Sequence, residues 1–347
     1  MTSRFWRPLS VTAVLMLSVA ACSGTGGSAA PSATSAATSA PATSSGGPAA
    51  SPSEAAGPPE VAEIKVGTLP IVDVAPVHIA LAKGLFEQEG LTVTPEVMQG
   101  GAAAIPALQG GDLDIAFGAW PSFLKANQQG IGLRGVADGV AGKDGFTQFL
   151  AMPDSGLEGD PAGLAGKKVA LNTLGNVGEL ALRYAAREAG VDYSSITPVE
   201  IPFPDMGAAL DGGSVDVIWT PEPGVTGNKA SLGAITVAES YVGEMANFPV
   251  AGYFVTAEFA EQNPNTVAAF TRAIEAAVQM AQADPQVVID AVETYTTLPP
   301  ELIGQLAYPE YRGALDAANL QRVYDLLLEF EMIEQGLDVD SLVLAGS

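Results

Sequence analysis

Two stretches of the chain repeat one pattern: GDLDIAFG at residues 111–118 and GSVDVIWT at residues 213–220. Each has a glycine, an aspartate three positions later and then a short apolar run, and each follows a segment with helical character that contains Ala-Leu. A short apolar run bounded by turn residues is typical of a buried strand. The repetition therefore predicts two similar α/β units in one chain.

The segments around each repeat alternate between strand-like and helix-like patterns, followed by a largely helical tail over residues 258–347. We predict strands at 62–69, 91–97, 113–117, 167–171, 196–201 and 215–219, and helices at 75–83, 101–109, 178–189 and 205–210. Strands that alternate with helices form a parallel sheet covered by those helices. Since ligands of such sheets bind beyond the carboxyl ends of the strands, two facing lobes would form a cleft from those loops.

The N-terminal segment has the features of an exported protein. Arg4 and Arg7 precede an apolar stretch at 9–19 that is too short to span a bilayer. Small residues come directly before Cys22, and the run VAAC resembles the bacterial lipobox, in which the cysteine becomes the lipidated first residue. We predict a lipoprotein signal peptide at 1–21 and lipidation of Cys22. The alternative is a lone buried cysteine behind an ordinary secretory signal.

Residues 22–61 consist mainly of Ser, Ala, Thr, Pro and Gly after the cysteine. Such a segment has too few large apolar side chains to offset the entropy of ordering, so we expect a disordered linker. The folded part then begins near residue 62.

The charge and cysteine content restrict the function classes. The chain has 39 Asp and Glu residues against 15 Lys and Arg residues, a formal net charge of −24. Such an acidic protein is a poor partner for nucleic acid or anionic lipid. Because Cys22 is the single cysteine, neither a disulfide framework nor a thiolate metal cluster is expected.

Three stretches carry a family resemblance: APVHIALAKGLFEQEGL at 75–91, the repeat at 111–118, and DVIWTPEP at 216–223. They resemble the nitrate-, sulfonate- and taurine-type substrate-binding proteins of ABC importers, a group that includes thiamine-pyrimidine precursor binders. The resemblance implies an α/β, type II periplasmic binding protein fold, with two lobes, a hinge and an interlobe cleft. It places lobe 1 at 62–148 and 251–347 and lobe 2 at 149–250, with crossing segments at 148–152 and 250–255.

The resemblance also places a ligand among the loops at 69–75, 100–102, 118–121, 172–178, 205–206 and 222–223. The candidate ligand-binding residues are Asp73, Gly101, Trp120, Asn172, Thr173, Asp205 and Glu222. Each has a structural alternative: the tryptophans at 120 and 219 fill strand ends, Asn172 and Thr173 cap a turn or helix, and the three carboxylates cap helices or lie at the surface. His78 is expected to pack in the core or on a helix surface.

These loops contain no Lys or Arg. A sulfonate or nitrate would therefore meet only helix N-termini, whereas a neutral or cationic ring such as a pyrimidine would stack on Trp and bond to a carboxylate. On chemistry alone we favour the neutral or cationic ring, while the range of ligands bound within the family keeps both ligand classes open.

The predicted function is delivery of a small polar molecule to an ABC permease by a monomeric receptor. We expect it outside the cell, tethered by lipid to the outer face of the cytoplasmic membrane, with no cofactor, no metal and no catalysis. The chain has no P-loop, no Gly-x-Ser-x-Gly elbow and no His-Glu-x-x-His motif. The alternatives are an extracytoplasmic enzyme of the same fold and a ligand-sensing lipoprotein without a transporter.

The lipobox generates the first testable prediction. Replacement of Cys22→Ser removes the thiol that would carry the lipid, so we expect the variant to leave the membrane fraction or to stall before signal cleavage. Fractionation and intact-mass measurement check this. A variant that remains in membranes and is processed as the parent is would contradict lipidation at Cys22.

Overall fold

The structure is a computed structural model that describes residues 57–98 and 103–344. The predicted signal peptide, Cys22 and most of the predicted linker lie outside these residues. The strands form two separate sheets. They are β1 (Glu63–Thr68), β2 (Thr92–Val97), β3 (Ile115–Ala119), β4 (Leu133–Ala141), β5 (Thr147–Ala151), β6 (Lys168–Leu171), β7 (Thr197–Glu200), β8 (Val217–Pro221), β9 (Ile235–Glu239), β10 (Pro249–Thr256) and β11 (Glu310–Tyr311).

The helices begin and end close to the Pro, Gly and Asn signals in the sequence. The α-helices in the described ranges are α1 (Ala75–Ala82), α2 (Leu85–Gln88), α3 (Ala104–Gly110), α4 (Trp120–Gln128), α5 (Val177–Glu188), α6 (Phe203–Asp211), α7 (Gly224–Leu232), α8 (Ala257–Gln262), α9 (Pro264–Ala283), α10 (Pro285–Tyr295), α11 (Pro300–Ile303) and α12 (Ala317–Glu329).

Each sheet combines parallel and antiparallel pairing. The six-stranded sheet of lobe 1 has the order β11-β4-β10-β3-β1-β2, and the five-stranded sheet of lobe 2 has the order β7-β6-β8-β5-β9. The pairs β1–β2, β1–β3, β6–β7 and β6–β8 are parallel, which confirms the predicted parallel units. The sheets are mixed because β10 pairs antiparallel with β3, and β5 pairs antiparallel with β8.

The two sequence repeats occupy equivalent places in the two sheets. In lobe 1 the Lys65 main-chain N–H donates to Asp114 Oδ2 at 2.8 Å, and in lobe 2 the Lys168 N–H donates to Asp216 Oδ2, also at 2.8 Å. Each aspartate therefore fixes the start of its strand beside the neighbouring parallel strand. The repeated aspartates therefore have the same strand-end role in both sheets.

The chain passes between the sheets at residues 142–146 and again at 240–248. The segments predicted as crossings, 148–152 and 250–255, lie instead almost entirely within β5 and β10. The predicted lobe boundaries, 148/149 and 250/251, likewise fall just inside these two strands. The reason is that both segments are central strands, paired with a neighbouring strand on each side, and their residues are almost all buried.

The tail completes lobe 1, where α9 and α10 pack against α1. His78 on α1 stacks on Tyr295 of α10 with ring centroids 3.9 Å apart, and burial lowers the pKa of His78 to about 4. This contact agrees with the packing role expected for the histidine. Among residues 57–98 and 103–344, no helix combines the length and apolar character needed to cross a bilayer.

The repeated aspartates generate a stability prediction. Asp114→Ala and Asp216→Ala each remove the acceptor of one main-chain N–H, so each should lower the free energy of unfolding by about 1 kcal/mol. Denaturant titration measures the change. The matched control is Asp112→Ala, because Asp112 belongs to the same repeat but its carboxylate makes no hydrogen bond in the described structure. Equal effects at 112 and 114 would contradict the strand-fixing role.

Candidate ligand-binding site

A small cavity lies between the lobes, where the parallel strands of both sheets end. This is the location expected for an open α/β sheet, because the loops after parallel strands meet at one edge. The lining residues are Leu69, Ile71, Asp73, Phe117, Ala119, Phe146, Thr147, Asn172, Asn176, Val177, Phe203, Trp219, Pro221, Tyr241, Val250 and Ala251. Both lobes and both crossing segments therefore contribute to one site.

The cavity contains a group of buried polar atoms that have no hydrogen-bond partner among the described residues. They are Asp73 Oδ1, Thr147 Oγ1, Asn172 Oδ1, Asn176 Oδ1 and the Tyr241 hydroxyl. Buried polar atoms in folded proteins are normally hydrogen-bonded, so a concentration of free ones at a single cavity marks a place built to bind a polar molecule.

Asp73 is the charged group of the site. It lies in a short 3-10 turn, Val72–Val74, directly before α1, and only 3% of its surface is exposed. Burial raises the pKa of Asp73 to about 7, and no Lys, Arg or His lines the cavity to counter that effect. Burial also raises the pKa of Tyr241, and the nearby Asp73 charge adds to the rise. The hydroxyl of Tyr241 is therefore neutral.

Aromatic rings form the apolar part of the cavity. Trp219 lies 6.0 Å from Phe203 between ring centroids, and its indole N–H donates to Ser240 Oγ at 2.9 Å. Phe146 and Tyr241 stack with centroids 5.9 Å apart. Because the Trp219 N–H is already satisfied, the indole offers a flat apolar face and no further donor.

The N-terminus of α5 also points toward the cavity. Asn176 is its N-cap residue, yet the Asn176 side chain does not cap the helix. The first-turn N–H groups of α5 carry the positive end of the helix dipole, and they lie beside the free Asn176 amide. Behind this loop, Lys125 Nζ donates to the Gly175 carbonyl at 2.9 Å and does not line the cavity.

The structure brings some of the predicted residues together and separates others. Asp73 and Asn172 line the cavity, and Thr173 is buried beside Asn172 with an unpartnered Oγ1 within the described structure. Gly101 lies outside the described residues. Trp120, Asp205 and Glu222 do not line the cavity.

Trp120 is the first residue of α4 and is fully buried in the core of lobe 1. Phe117 and Ala119 of β3 line the cavity, whereas the Trp120 indole N–H donates to Asp138 Oδ1 of β4 at 3.3 Å. The aromatic residue that matches Trp219 in the repeat is Phe117. The expectation of stacking on Trp120 is therefore corrected.

The two remaining carboxylates have structural surroundings. Asp205 is exposed in the first turn of α6. Glu222 is buried and accepts hydrogen bonds from the N–H and hydroxyl of Thr226 and from the Ala307 N–H. These contacts correspond to the helix-capping and surface roles that the sequence left open.

Four lining residues that matter most were not among the named candidates: Phe146, Thr147, Asn176 and Tyr241. Asn176 lies in the predicted loop at 172–178, and its position before a helix is a usable signal. The other three lie on or beside the crossing segments, which carry no motif. No group of three or more His, Cys, Asp or Glu side chains in the described ranges is arranged to hold a metal ion.

These features define a two-lobed periplasmic binding protein fold. The structure is similar to the alkanesulfonate-binding protein SsuA of Xanthomonas axonopodis pv. citri bound to MOPS, with a TM-score of 0.72 and 20% sequence identity over 82% of this chain and 99% of that one. Residues 71–287 match the family described as NMT1/THI5 like. The chain belongs to this family.

Several sequence relatives have named functions. A Brucella abortus protein described as a binding protein is 27% identical over 219 residues, 61% of this chain and 64% of the relative. The taurine-binding periplasmic protein of Escherichia coli is 26% identical over 225 residues, 64% of this chain and 68% of that protein. Saccharomyces cerevisiae 4-amino-5-hydroxymethyl-2-methylpyrimidine phosphate synthase THI13 is 23% identical over 247 residues, 68% of this chain and 71% of the yeast protein. The chain spans just under two thirds of the length of the Brucella relative.

The burial of Asp73 generates a pH prediction. Because its pKa in the folded protein lies above the ordinary value of 3.8, ionisation of Asp73 destabilises the fold as the pH rises from about 4 to about 7. Asp73→Asn removes that penalty. The variant should therefore gain on the order of 3 kcal/mol relative to the parent between pH 4 and pH 8 in the absence of ligand.

Chemical denaturation at several pH values measures the difference in free energy of unfolding between the variant and the parent. The contributions of all other titratable groups are common to both proteins and cancel in that difference. Asp205→Asn is the control, because that carboxylate is exposed, and its difference from the parent should stay constant. A pH-independent difference for the Asp73 variant would show that the carboxyl ionises normally in the folded state.

Proposed function

We propose that this chain is an extracytoplasmic solute-binding protein that receives a small polar molecule in the interlobe cavity and delivers it to an ABC importer permease. The observation that carries this proposal is the set of free buried polar groups supplied by both lobes and by the crossing segment at 240–248 to one cavity. The family membership and the named binding functions of the relatives support it.

Ligand-dependent closure follows from the way the site is divided. A molecule that contacts Asp73 in lobe 1 and Asn172 in lobe 2 binds best when the lobes are together. A ligand shifts a conformational equilibrium only through such differential contacts. The closed form is then the one that docks on the permease, and the crossing segments at 142–146 and 240–248 act as the hinge.

The remaining parts of the proposal concern location and ligand class. Lipidated Cys22 and the segment at 22–61 would tether the monomeric domain to the outer face of the cytoplasmic membrane. The ligand belongs to the sulfonate, nitrate, taurine or pyrimidine-precursor class, and no cofactor is required. The yeast relative is a synthase, so the test includes a measurement of chemical conversion.

The test uses four probes: taurine, ethanesulfonate, nitrate and 4-amino-5-hydroxymethyl-2-methylpyrimidine. At least one should raise the melting temperature and reduce the radius of gyration by X-ray scattering. In Asn172→Ala and Asn176→Ala, loss of one hydrogen bond should weaken binding of that probe about tenfold. Asp205→Asn should bind as the parent does.

Mass spectrometry of the probe after incubation separates binding from catalysis. Recovery of the unchanged probe supports a receptor, whereas a converted product overturns the proposal in favour of an enzyme of the same fold. Binding that is unaffected in both asparagine variants would place the ligand outside this cavity.

A further inference from the structure

The interlobe cavity has an unbalanced charge. Asp73 contributes a nearly fully buried carboxyl group whose Oδ1 has no partner among the described residues. Burying a carboxylate without a partner is costly, so such a group either takes up a proton or is compensated by a bound partner.

The chain itself supplies no such compensation near the cavity. The lining residues include no Lys, Arg or His, and the neighbouring Lys125 ammonium group is bound to the Gly175 carbonyl. Residues 99–102, which lie outside the described ranges, are Gln-Gly-Gly-Ala and carry no charged side chain. The titratable groups close to Asp73 are the tyrosines 241, 253, 295 and 311, all neutral because burial raises their pKa values.

The other free groups are less selective than Asp73. Asn172 and Asn176 each have an acceptor oxygen and a donor NH2 group, and the Thr147 and Tyr241 hydroxyls both donate and accept. Among these groups only an ionised Asp73 carboxylate cannot donate, so it is the one that requires a donor from the bound molecule. Oxyanions such as nitrate bring acceptors only, and they would lie in the same small cavity as the Asp73 carboxyl.

We propose that the ligand presents an N–H-bearing, protonatable nitrogen, an amine or an amidine, to Asp73, with its apolar body against Trp219 and Phe146. This inference rests on the proposed solute-binding function and narrows its ligand class. A taurine-like zwitterion and an aminopyrimidine share this chemistry. An anionic group of a zwitterion would lie at the α5 N-terminus, beside Asn176.

Two matched pairs of probes isolate the nitrogen: taurine against ethanesulfonate, and 4-amino-2-methylpyrimidine against 2-methylpyrimidine. By titration calorimetry, the amine-bearing member of at least one pair should bind ten times more tightly than its partner, or better. A preference within the taurine pair indicates a zwitterionic ligand, whereas a preference within the pyrimidine pair indicates an aminopyrimidine ring. Nitrate should bind more weakly than the preferred amine.

Asp73→Asn should remove most of this preference while leaving the circular dichroism spectrum and cooperative unfolding intact. Asp205→Asn should keep it. Equal binding within both pairs, or a preference retained in Asp73→Asn, overturns the assignment to Asp73.

The two proposals fail in different ways. Tight binding of ethanesulfonate or nitrate with compaction of the protein overturns this inference and leaves the solute-binding function in place. Absence of binding by every probe, with no small molecule copurifying with the protein, overturns both.

Discussion

The hydrogen bonds of Glu222 hold the two lobes in the arrangement on which the cavity depends. Its carbonyl accepts from the Val72 N–H at 3.1 Å, and its own N–H donates to the Phe146 carbonyl at 3.0 Å. The side chain of Glu222 accepts from Thr226 and from the Ala307 N–H, which belongs to lobe 1. Val72 precedes Asp73, so its bond to Glu222 places one free polar group of the cavity against lobe 2, and the bond to Phe146 fixes the residue before Thr147. A residue outside the cavity thus sets its geometry.

This arrangement explains why a destabilising group persists at the site. Glu222 and Asp73 are both buried, and burial raises the pKa of both carboxyl groups. Glu222 is compensated by three hydrogen bonds, whereas Asp73 Oδ1 has none among the described residues. Functional sites commonly violate the rules that the rest of a protein obeys. The contrast between the two carboxylates therefore separates a structural group from one reserved for a ligand.

The sequence predicts the parts of the fold that depend on periodic patterns. The paired repeats at 111–118 and 213–220 indicate two units, and Asp114 and Asp216 make the same hydrogen bond in each. The site is predicted less well, because a loop can be located without knowing which side chains face inward. Trp120 and Trp219 look equivalent as aromatic strand-end residues, yet Phe117 of β3 lines the cavity, while Trp120 begins α4 and packs in the core. Thr147 and Tyr241 line the cavity because they lie where the chain passes between the two sheets. That placement depends on long-range strand pairing, and no local sequence motif predicts it.

The contacts between the lobes away from the cavity explain how a small ligand can control closure. Arg187 on α5 pairs with Glu329 on α12 and with Glu244 on a crossing segment, and Arg183 on α5 donates to the Phe330 carbonyl. The glutamates of these pairs are more than half exposed, and such ion pairs contribute at most about 1 kcal/mol each. The hydrogen bonds of Glu222 are buried but few. A ligand that adds several buried hydrogen bonds across the cavity, each with a net value of about 1 kcal/mol, contributes at least as much as these two exposed ion pairs. Closure that is only weakly favourable in the free protein is the condition under which binding changes the shape presented to a partner.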